Sequence, residues 1–422
     1  MGQVDPRRLL ALLTLVALTA GAGGCSSSSV TTATGHRSVT RSVTPAVGTA
    51  RSTTTTTTDP SVTPTTVPVT VPHAVGWTLA LTTLPPGGGF TSLACLSNTF
   101  CVAAGGGTIG NGATLLSGSG VTMSWDGAVW SSPSVYFPAP ATGAVTAPVL
   151  PTVTCTSGPL CVIVDGSGRV STGDGTDWST PVTVGDPPPL PANPSDPGPG
   201  QPGSRTLAVS CPSPALCAVV DNTGHATTMR NRIWSTPQSF GATVGVGSAA
   251  TRVSLYQGGR VGVSCPTITS CTAVVGTTVL DWNGSTWSAE ASPWAATLAP
   301  GTDVPVSIAC PTITLCAIVN GDDIVVRNAG ATWTPRQVLE PGRQLDSIAC
   351  PTRSFCVVAD DTGAVMTWNG STWTGPAQVV PAATQYPDNG VSVACSSPQF
   401  CMVMNADGDY ATYNGPGSST EP

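Results

Sequence analysis

The cysteines carry the clearest chemical signal in this 422-residue chain, because fourteen of the fifteen fall into pairs with one spacing, C-x5-C. The seven pairs are Cys95 with Cys101, Cys155 with Cys161, Cys211 with Cys217, Cys265 with Cys271, Cys310 with Cys316, Cys350 with Cys356, and Cys395 with Cys401. A fully extended chain holds cysteines six residues apart at about 20 Å, whereas a hairpin brings them to about 5 Å, within disulfide reach. We therefore expect seven structural disulfides, each across a β-hairpin. Metal binding is the alternative, but the pairs lack the nearby His or further Cys that a ligand set needs.

The other residue types restrict the possible chemistry further. Lys is absent and all 15 basic residues are Arg, so Schiff-base chemistry has no amine to use. His225 is the single His outside a low-complexity stretch, which argues against Ser-His-Asp triads and multi-His metal sites. The net charge of -7, without an Arg cluster, gives no electrostatic footprint for nucleic acid. We predict no cofactor, no metal site and no catalytic residue that the sequence alone can name.

The fifteenth cysteine, Cys25, has a separate role suggested by its position. Arg7 and Arg8 precede the apolar segment Leu9 to Ala22, which is too short to span a bilayer comfortably, and small residues lead to Cys25. This segment resembles a bacterial lipoprotein signal, although Ala22 stands where that family usually has Leu. The resemblance implies that residues 1–25 are a signal peptide ending at a lipidated Cys25, with an anchor in the outer leaflet of the cell membrane. The alternative is an ordinary secretory signal and a secreted protein, and both place the chain where disulfides persist.

Residues 26–74 differ in composition from the rest of the chain. They are dominated by Thr, Ser, Pro and Val, with six consecutive Thr from Thr53 to Thr58, and show no apolar period that could bury a core. We interpret them as a linker, and flexible-coil scaling gives a reach of about 38 Å. The last residues, 416–422, are predicted to be a disordered tail.

Around each cysteine pair the same pattern of strands and turns recurs. Apolar runs on both sides of the pair predict a hairpin, a polar turn such as Asp361-Thr362-Gly363 follows, and a third strand ends at turns such as Asn369-Gly370. A fourth strand then begins at a Trp. Four antiparallel strands in about 48 residues are typical of a β-propeller blade, so we predict an all-β, seven-bladed propeller over residues 75–415. The last repeat lacks its Trp strand and an unassigned strand begins at Trp77, so we expect the N-terminal strand to close the ring.

The repeat resembles one found in secreted and lipoprotein propellers of actinobacteria, with the pattern C-P-[ST]-x3-C followed by W-N-G-x-T-W. The resemblance covers residues 75–413 and implies a fold rather than an activity. A looser likeness is to the Asp-box turn of sialidases, but the turns at Asn283 and Asn369 are one residue shorter and have Asn for Asp, so no site residue transfers.

The recurrent Trp and Asp residues each have a structural and a functional interpretation. The Trp residues that begin the fourth strands are expected to fill gaps between blades rather than to stack on sugars; those expected to do so are Trp178, Trp234, Trp287, Trp333 and Trp373. Trp125, Trp282, Trp294 and Trp368 are freer to be exposed, and the hairpin register that decides their facing is open. Asp165, Asp221, Asp360, Asp361 and Asp407 are expected to form turns rather than a Ca²⁺ site.

Loop lengths suggest where function lies. Spacing within blades is nearly constant, whereas the connections between blades vary and include the Pro-rich stretch Asp186 to Gly203. Gly105 to Ser124 is an insertion in the first blade. In a propeller these variable segments share one face, so we predict a monomeric binding or scaffold protein for a cell-envelope protein or glycan, which is bound there. The alternative is an Asp-dependent glycoside hydrolase, which a cluster of carboxylates with raised pKa values at the channel mouth would favour.

The anchor can be tested directly. We expect Cys25→Ser to release the protein from the membrane fraction, because the thiol that would carry the lipid is gone. Fractionation with detergent partitioning measures this, and a variant that stays in the membrane fraction would contradict the lipoprotein interpretation.

Overall fold

The structure is a computed structural model of the full chain. It describes residues 76–80, 89–106, 120–137, 151–184, 207–239, 261–290, 293, 306–328, 332–384 and 390–415, apart from the turn residues 159, 167, 222–223 and 276–277. Cys25 and the segments 1–25, 26–74 and 416–422 therefore lie outside the described residues. The same holds for the stretch Asp186 to Gly203, for most of the first-blade insertion and for Trp294.

All described elements are β-strands, and they form seven antiparallel sheets of the predicted four-stranded kind, one of which has a short extra strand. No described element is a helix of the length and apolar character needed to cross a membrane. The first strand of each blade, in order along the chain, is β2 (Gly89–Ser97), β6 (Thr152–Thr156), β10 (Leu207–Ser213), β15 (Val261–Thr267), β19 (Val306–Thr312), β23 (Leu345–Thr352) and β27 (Val391–Ser397). The second strands are β3 (Phe100–Gly106), β7 (Leu160–Val164), β11 (Leu216–Asp221), β16 (Ser270–Val275), β20 (Leu315–Asn320), β24 (Phe355–Asp360) and β28 (Phe400–Asn405).

The third and fourth strands complete the blades toward the outside. The third strands are β4 (Gly120–Trp125), β8 (Arg169–Gly173), β12 (His225–Arg230), β17 (Thr278–Trp282), β21 (Asp323–Asn328), β25 (Ala364–Trp368) and β29 (Tyr410–Tyr413). The fourth strands are β5 (Ser134–Phe137), β9 (Val182–Thr183), β13 (Ile233–Trp234) with the extra β14 (Gln238–Ser239), β18 (Trp287–Glu290), β22 (Gln337–Val338), β26 (Trp373–Gln378) and, in the seventh blade, β1 (Trp77–Ala80). The predicted seven-bladed propeller is confirmed.

The first strands form the innermost ring, since each contacts the first strands of both neighbouring blades, including β27 with β2. One edge of each inner strand has no ladder partner in its own sheet. A Ser or Thr hydroxyl bridges every one of the seven gaps between these strands. Five bridges accept a backbone N–H of the next blade, at Ser92, Ser210, Ser264, Ser307 and Ser347, over 2.9 to 3.2 Å. Thr152 and Ser392 instead donate to the carbonyls of Leu207 and Thr91 in the other two gaps.

The ring closes at the seam predicted from the sequence. β1 pairs antiparallel with β29, from Trp77 opposite Tyr413 to Ala80 opposite Tyr410. The N–H of Asn414 also donates to the carbonyl of Gly76 at 3.1 Å. The strand therefore covers the edge that β29 would otherwise expose to solvent.

All seven cysteine pairs form disulfides across the hairpin between the first and second strands, with Cα atoms 4.0 to 4.1 Å apart. In every blade the bonded partners are those expected from the spacing: Cys95 and Cys101, Cys155 and Cys161, Cys211 and Cys217, Cys265 and Cys271, Cys310 and Cys316, Cys350 and Cys356, Cys395 and Cys401. Because the closed loop is short, each bond contributes only about 2 kcal/mol by restricting the unfolded chain. The disulfides thus fix the hairpins individually and do not link one blade to another.

The fourth-strand Trp residues fill the gaps between blades, as predicted. In each blade the second Cys, one third-strand residue and this Trp lie opposite one another in a row across three strands, for example Cys271, Trp282 and Trp287. Trp287 packs against a buried cluster drawn from blades 3 and 4, and Trp178 packs against one from blades 1 and 2. Trp77 occupies this position in the seventh blade, in the cluster between blades 6 and 7.

The sequence left open the register of the hairpin between the third and fourth strands. In the structure these strands are joined by a four-residue loop. Trp282 pairs directly with Trp287, and the Oδ1 of Asn283 accepts the N–H groups of Ser285 and Thr286 at 3.0 Å. Both Trp side chains consequently face the same interblade gap. Trp125 and Trp282, which were expected to be freer, are therefore buried, whereas Trp368 is half-buried.

One interblade gap contains a charged network. Arg327 of blade 5 is 7% exposed and donates to Asp281 at 2.6 Å and to Glu290 at 2.8 Å, both in blade 4. Its guanidinium also lies over the ring of Trp333, 5.0 Å from the centroid. The ion pairs and the cation–π contact together take the place of further apolar packing between these two blades.

Ring closure predicts a specific sensitivity to the N-terminal strand. Deleting Val75 to Thr83 should lower the melting temperature sharply, because the edge of β29 and the last interblade cluster become exposed. The point variant Trp77→Ala should lower the free energy of unfolding by about 3–5 kcal/mol, as for other buried Trp truncations.

The matched control is Thr78→Ala, which removes an exposed side chain from the same strand. Thermal and denaturant unfolding measure all three variants. A deletion variant that melts like the intact protein would contradict closure by β1.

Candidate functional site

The antiparallel order of the strands gives the propeller two different faces. The side that carries the disulfide hairpins and the turns between third and fourth strands is called the hairpin face. The loop face is the side with the turns between second and third strands and with the connections between blades. The segments of variable length therefore join strand ends that lie on the loop face, as the sequence analysis expected.

Several loop-face turns are built on a buried polar residue at the end of the second strand. The Oδ1 of Asp165 accepts the N–H of Arg169 at 2.9 Å, and the Oδ1 of Asp360 accepts the N–H of Ala364 at 2.8 Å. Asp221 makes the equivalent bond, which confirms the turn-forming interpretation for these three residues. Asp407 acts differently, because its carboxylate accepts the N–H and the hydroxyl of Thr384 in the connection between blades 6 and 7.

Blade 5 departs from this pattern. Its turn is tighter, because Asn320 pairs directly with Asp323. The Asn320 side chain therefore lacks the backbone N–H, four residues ahead, that the Asp side chains accept in the other turns. The amide of Asn320 is 3% exposed and its Nδ2 and Oδ1 have no partner among the described residues. Asp323 is also buried and forms an ion pair with Arg336 through Oδ2, while its Oδ1 has no partner there.

A cluster of carboxylates lies on the loop face of blade 6, and we call its members Glu340, Asp346, Asp360 and Asp361 the acidic cluster. Asp346 sits at the loop-face end of the inner strand β23, where a β-bulge between Leu345 and Ser347 interrupts the pairing with β24. Bulges often redirect a side chain near functional sites. The Oδ2 of Asp346 accepts the N–H of Val391 in blade 7 at 2.9 Å, so the carboxylate lies between two inner strands.

Burial changes the ionisation of Asp346. Removal from water disfavours the charged form and raises its pKa to about 8, against the opposing effect of the N–H of Val391, and the nearby Asp361 and Asp360 raise it further. The fit is tight on one side, because a Cβ at Gly390 would come within 2.8 Å of Oδ2. Gly390 also has φ of +72°, which a residue with a side chain rarely adopts.

Glu340 and Asp360 form the second part of the acidic cluster. Burial raises the pKa of Glu340, and the adjacent carboxylate of Asp360, which contacts it directly, raises it further. Burial likewise raises the pKa of Asp361, with a contribution from Asp360. Glu340 Oε2 and Asp360 Oδ2 are both buried and have no hydrogen-bond partner among the described residues.

The described loop face is acidic beyond this cluster. Arg169, Arg336 and Arg343 lie there with His225, against ten carboxylates. These are Asp165, Asp221, Asp322, Asp323, Glu340, Asp346, Asp360, Asp361, Asp407 and Asp409. No three His, Cys, Asp or Glu side chains in the described part of the chain are arranged to hold a metal ion. The face therefore offers negative charge at fixed positions without a metal centre among those residues.

Sequence reasoning placed function on this face but did not identify Asp346 or the contact of Glu340 with Asp360. A signal was available for Asp346. Four residues before the first Cys, the other blades have Thr91, Pro151, Leu207, Val261, Val306 and Val391, none of which is charged. Comparison of the repeats at this position marks Asp346 as an exception.

Comparison with known proteins supports the fold. No protein-family model and no curated protein matches the chain. YCF48 from Cyanidioschyzon merolae has a similar structure at 16% identity, with a TM-score of 0.51 over 82% of this chain and 100% of its own. A streptogramin B lyase matches at 7% identity, with a TM-score of 0.53 over 80% of this chain and 96% of its own. A chain of the mitotic checkpoint complex matches at 13% identity, with a TM-score of 0.50 over 77% and 89% of the two chains. At these identities the likeness establishes a propeller and no activity.

The raised pKa of Asp346 makes stability depend on pH. Its folded pKa of about 8 lies above that of an unfolded Asp, so the folded state binds more protons and loses stability as pH rises from about 4 through 8. We expect Asp346→Asn to reduce this loss by at least about 1 kcal/mol between pH 5 and pH 8.5, since one pKa unit corresponds to about 1.4 kcal/mol.

Denaturant unfolding at a series of pH values measures the effect. The control is Asp177→Asn, which changes an exposed carboxyl on the hairpin face and should leave the pH profile as it is. Parallel profiles for the parent protein and Asp346→Asn would show that Asp346 is not held protonated by the fold.

Proposed function

We propose that this protein is a lipid-anchored extracytoplasmic scaffold whose loop face binds a cell-envelope protein through cationic groups of that partner. The observation that carries the proposal is the acidic loop face, where the described residues include ten carboxyl groups, six of them at least partly exposed, and three Arg. Carboxylates on a rigid scaffold attract and orient Arg or Lys side chains of a partner, and such complementarity raises the association rate and selects among partners.

The cysteines support a location outside the cytoplasm. Seven disulfides are typical of oxidising extracytoplasmic compartments. In the proposal, residues 1–25 direct export, Cys25 carries the lipid, and residues 26–74 link the propeller to that anchor. The actinobacterial repeat pattern is in keeping with this organisation.

The propeller fold itself does not decide between binding and catalysis. The similar structures include a lyase as well as a chain of a protein complex. Binding is favoured by the arrangement of the acidic cluster, since Glu340 contacts Asp360 directly. Glycosidases keep their two carboxyl groups about 5 Å apart or more, which leaves room for substrate or water.

One observation favours the hydrolase as a second candidate. Asp346 has a pKa of about 8, which suits a general acid at neutral pH. In that candidate function Asp346 would protonate the leaving oxygen of a glycosidic bond, and Asp361, which lies nearby, would act as the base. A cluster of carboxylates with raised pKa values was the feature expected to favour this alternative.

The binding proposal is tested by affinity capture from solubilised cell envelope. The bait is the mature chain from residue 26 onward, and the variant is Glu340→Gln with Asp361→Asn, which removes negative charge while keeping size. We expect the captured protein to be lost from the variant and released from the parent bait by salt, because surface electrostatics are screened.

The control is Asp126→Asn with Asp177→Asn, which removes the same charge from the hairpin face and should capture as the parent does. Equal capture by parent and loop-face variant would contradict the proposal. Binding to a glycan array, or hydrolysis of glycans that is abolished in Asp346→Asn, would replace it with the glycan-binding or hydrolase function.

A further inference from the structure

The hairpin face of blades 3 to 6 carries three exposed Ile side chains. Ile233, Ile268 and Ile313 are 74%, 50% and 59% exposed. Arg232 and Arg353 lie exposed on the same sector. Aliphatic residues beside Arg are the composition by which peripheral proteins contact lipid surfaces.

The structure holds the three Ile residues at the ends of rigid turns. Ile268 and Ile313 each occupy the middle of a five-residue turn closed by a disulfide. Ile233 follows the tight turn of Asn231 and Arg232, whose φ angles are +50° and +66°. Because these turns are fixed, their aliphatic tips cannot fold back onto the blade and they project from this face.

The hairpin-face sector also lacks free negative charge among its described residues. Asp281 lies in blade 4 but is paired with Arg327. The exposed carboxylates on this face, Asp126, Asp174 and Asp177, belong to blades 1 and 2. The sector is thus basic and aliphatic, whereas the opposite face of the ring is acidic.

The chain enters and leaves the propeller on the hairpin face. Trp77 pairs with Tyr413 at the hairpin-face end of the seam, next to Gly76 and Asn414. Gly76, the first described residue of the chain, therefore lies on the same face as the Ile tips.

We propose that the hairpin face of blades 3 to 6 docks on an anionic phospholipid surface, with the tips of Ile233, Ile268 and Ile313 in the headgroup region and Arg232 and Arg353 against the phosphates. Charge complementarity favours an anionic lipid surface as the partner of this sector, because such a surface attracts the basic sector and repels the acidic loop face. The inference rests on the proposed extracytoplasmic, membrane-tethered function and adds the orientation of the propeller. The loop face then points away from the membrane and stays open to a partner.

The test uses the mature chain from residue 26 onward, exported behind a cleavable leader so that it carries no lipid. Vesicles of phosphatidylcholine with phosphatidylglycerol are compared with vesicles of phosphatidylcholine alone, and co-flotation measures the partition coefficient. We expect binding to the anionic vesicles that weakens with added salt. Arg232→Gln with Arg353→Gln should lower the partition coefficient by about ten-fold or more, and Ile268→Ser with Ile313→Ser should also lower it.

Two controls make the result specific. Arg343→Gln removes an exposed Arg from the loop face and should bind vesicles as the parent does. Absence of free thiols and an unchanged melting temperature show that each variant is folded. No binding to anionic vesicles, equal binding to both vesicle types, or loss of binding in Arg343→Gln alone would overturn the proposal. Affinity capture through the loop face is measured without vesicles, so failure of one proposal is distinguishable from failure of the other.

Discussion

The contact between the flat faces of neighbouring blades is the interaction on which this structure depends. In each blade the second Cys of the disulfide, one third-strand residue and a fourth-strand Trp form a row that covers the preceding blade. The disulfide keeps its hairpin closed, so the row remains in register while the Trp buries a large apolar surface. On the inner side, hydroxyl groups bridge every gap between adjacent first strands, for instance Ser264 to the N–H of Cys310. Apolar burial thus holds the blades together on the outside, and hydrogen bonds align them near the axis.

Much of this architecture could be predicted from the sequence because it is repeated. Seven C-x5-C pairs and the Trp strands specify the blades, and the unassigned strand at Trp77 specifies the closure. The exceptions to the repeat were harder to predict. Arg327 replaces an expected apolar contact, and its partners Asp281 and Glu290 belong to the preceding blade, so only the packing of blades 4 and 5 brings them together.

The acidic cluster shows the same limit at the candidate site. The β-bulge in β23 turns Asp346 toward the N–H of Val391, and no local pattern indicates that contact. The raised pKa of Asp346 follows from burial among groups of blades 6 and 7 rather than from its neighbours in sequence. Repetition therefore predicts the scaffold well, whereas the side chains that distinguish one blade from another acquire their properties only in the closed ring.

The seam between β1 and β29 has a consequence for how the molecule forms. Trp77 is among the first residues of the propeller to be synthesised and its partner Tyr413 among the last, so ring closure must wait for nearly the whole propeller. Each disulfide, by contrast, joins residues six apart and can form as soon as its own hairpin has emerged. The hairpins can accordingly fold one after another, whereas the pairing of β1 with β29, which joins residues very far apart in sequence, forms last. Until then the β1 segment is an unpaired apolar strand, which makes the interval before closure the period in which an incomplete chain is most prone to pair with another copy of itself.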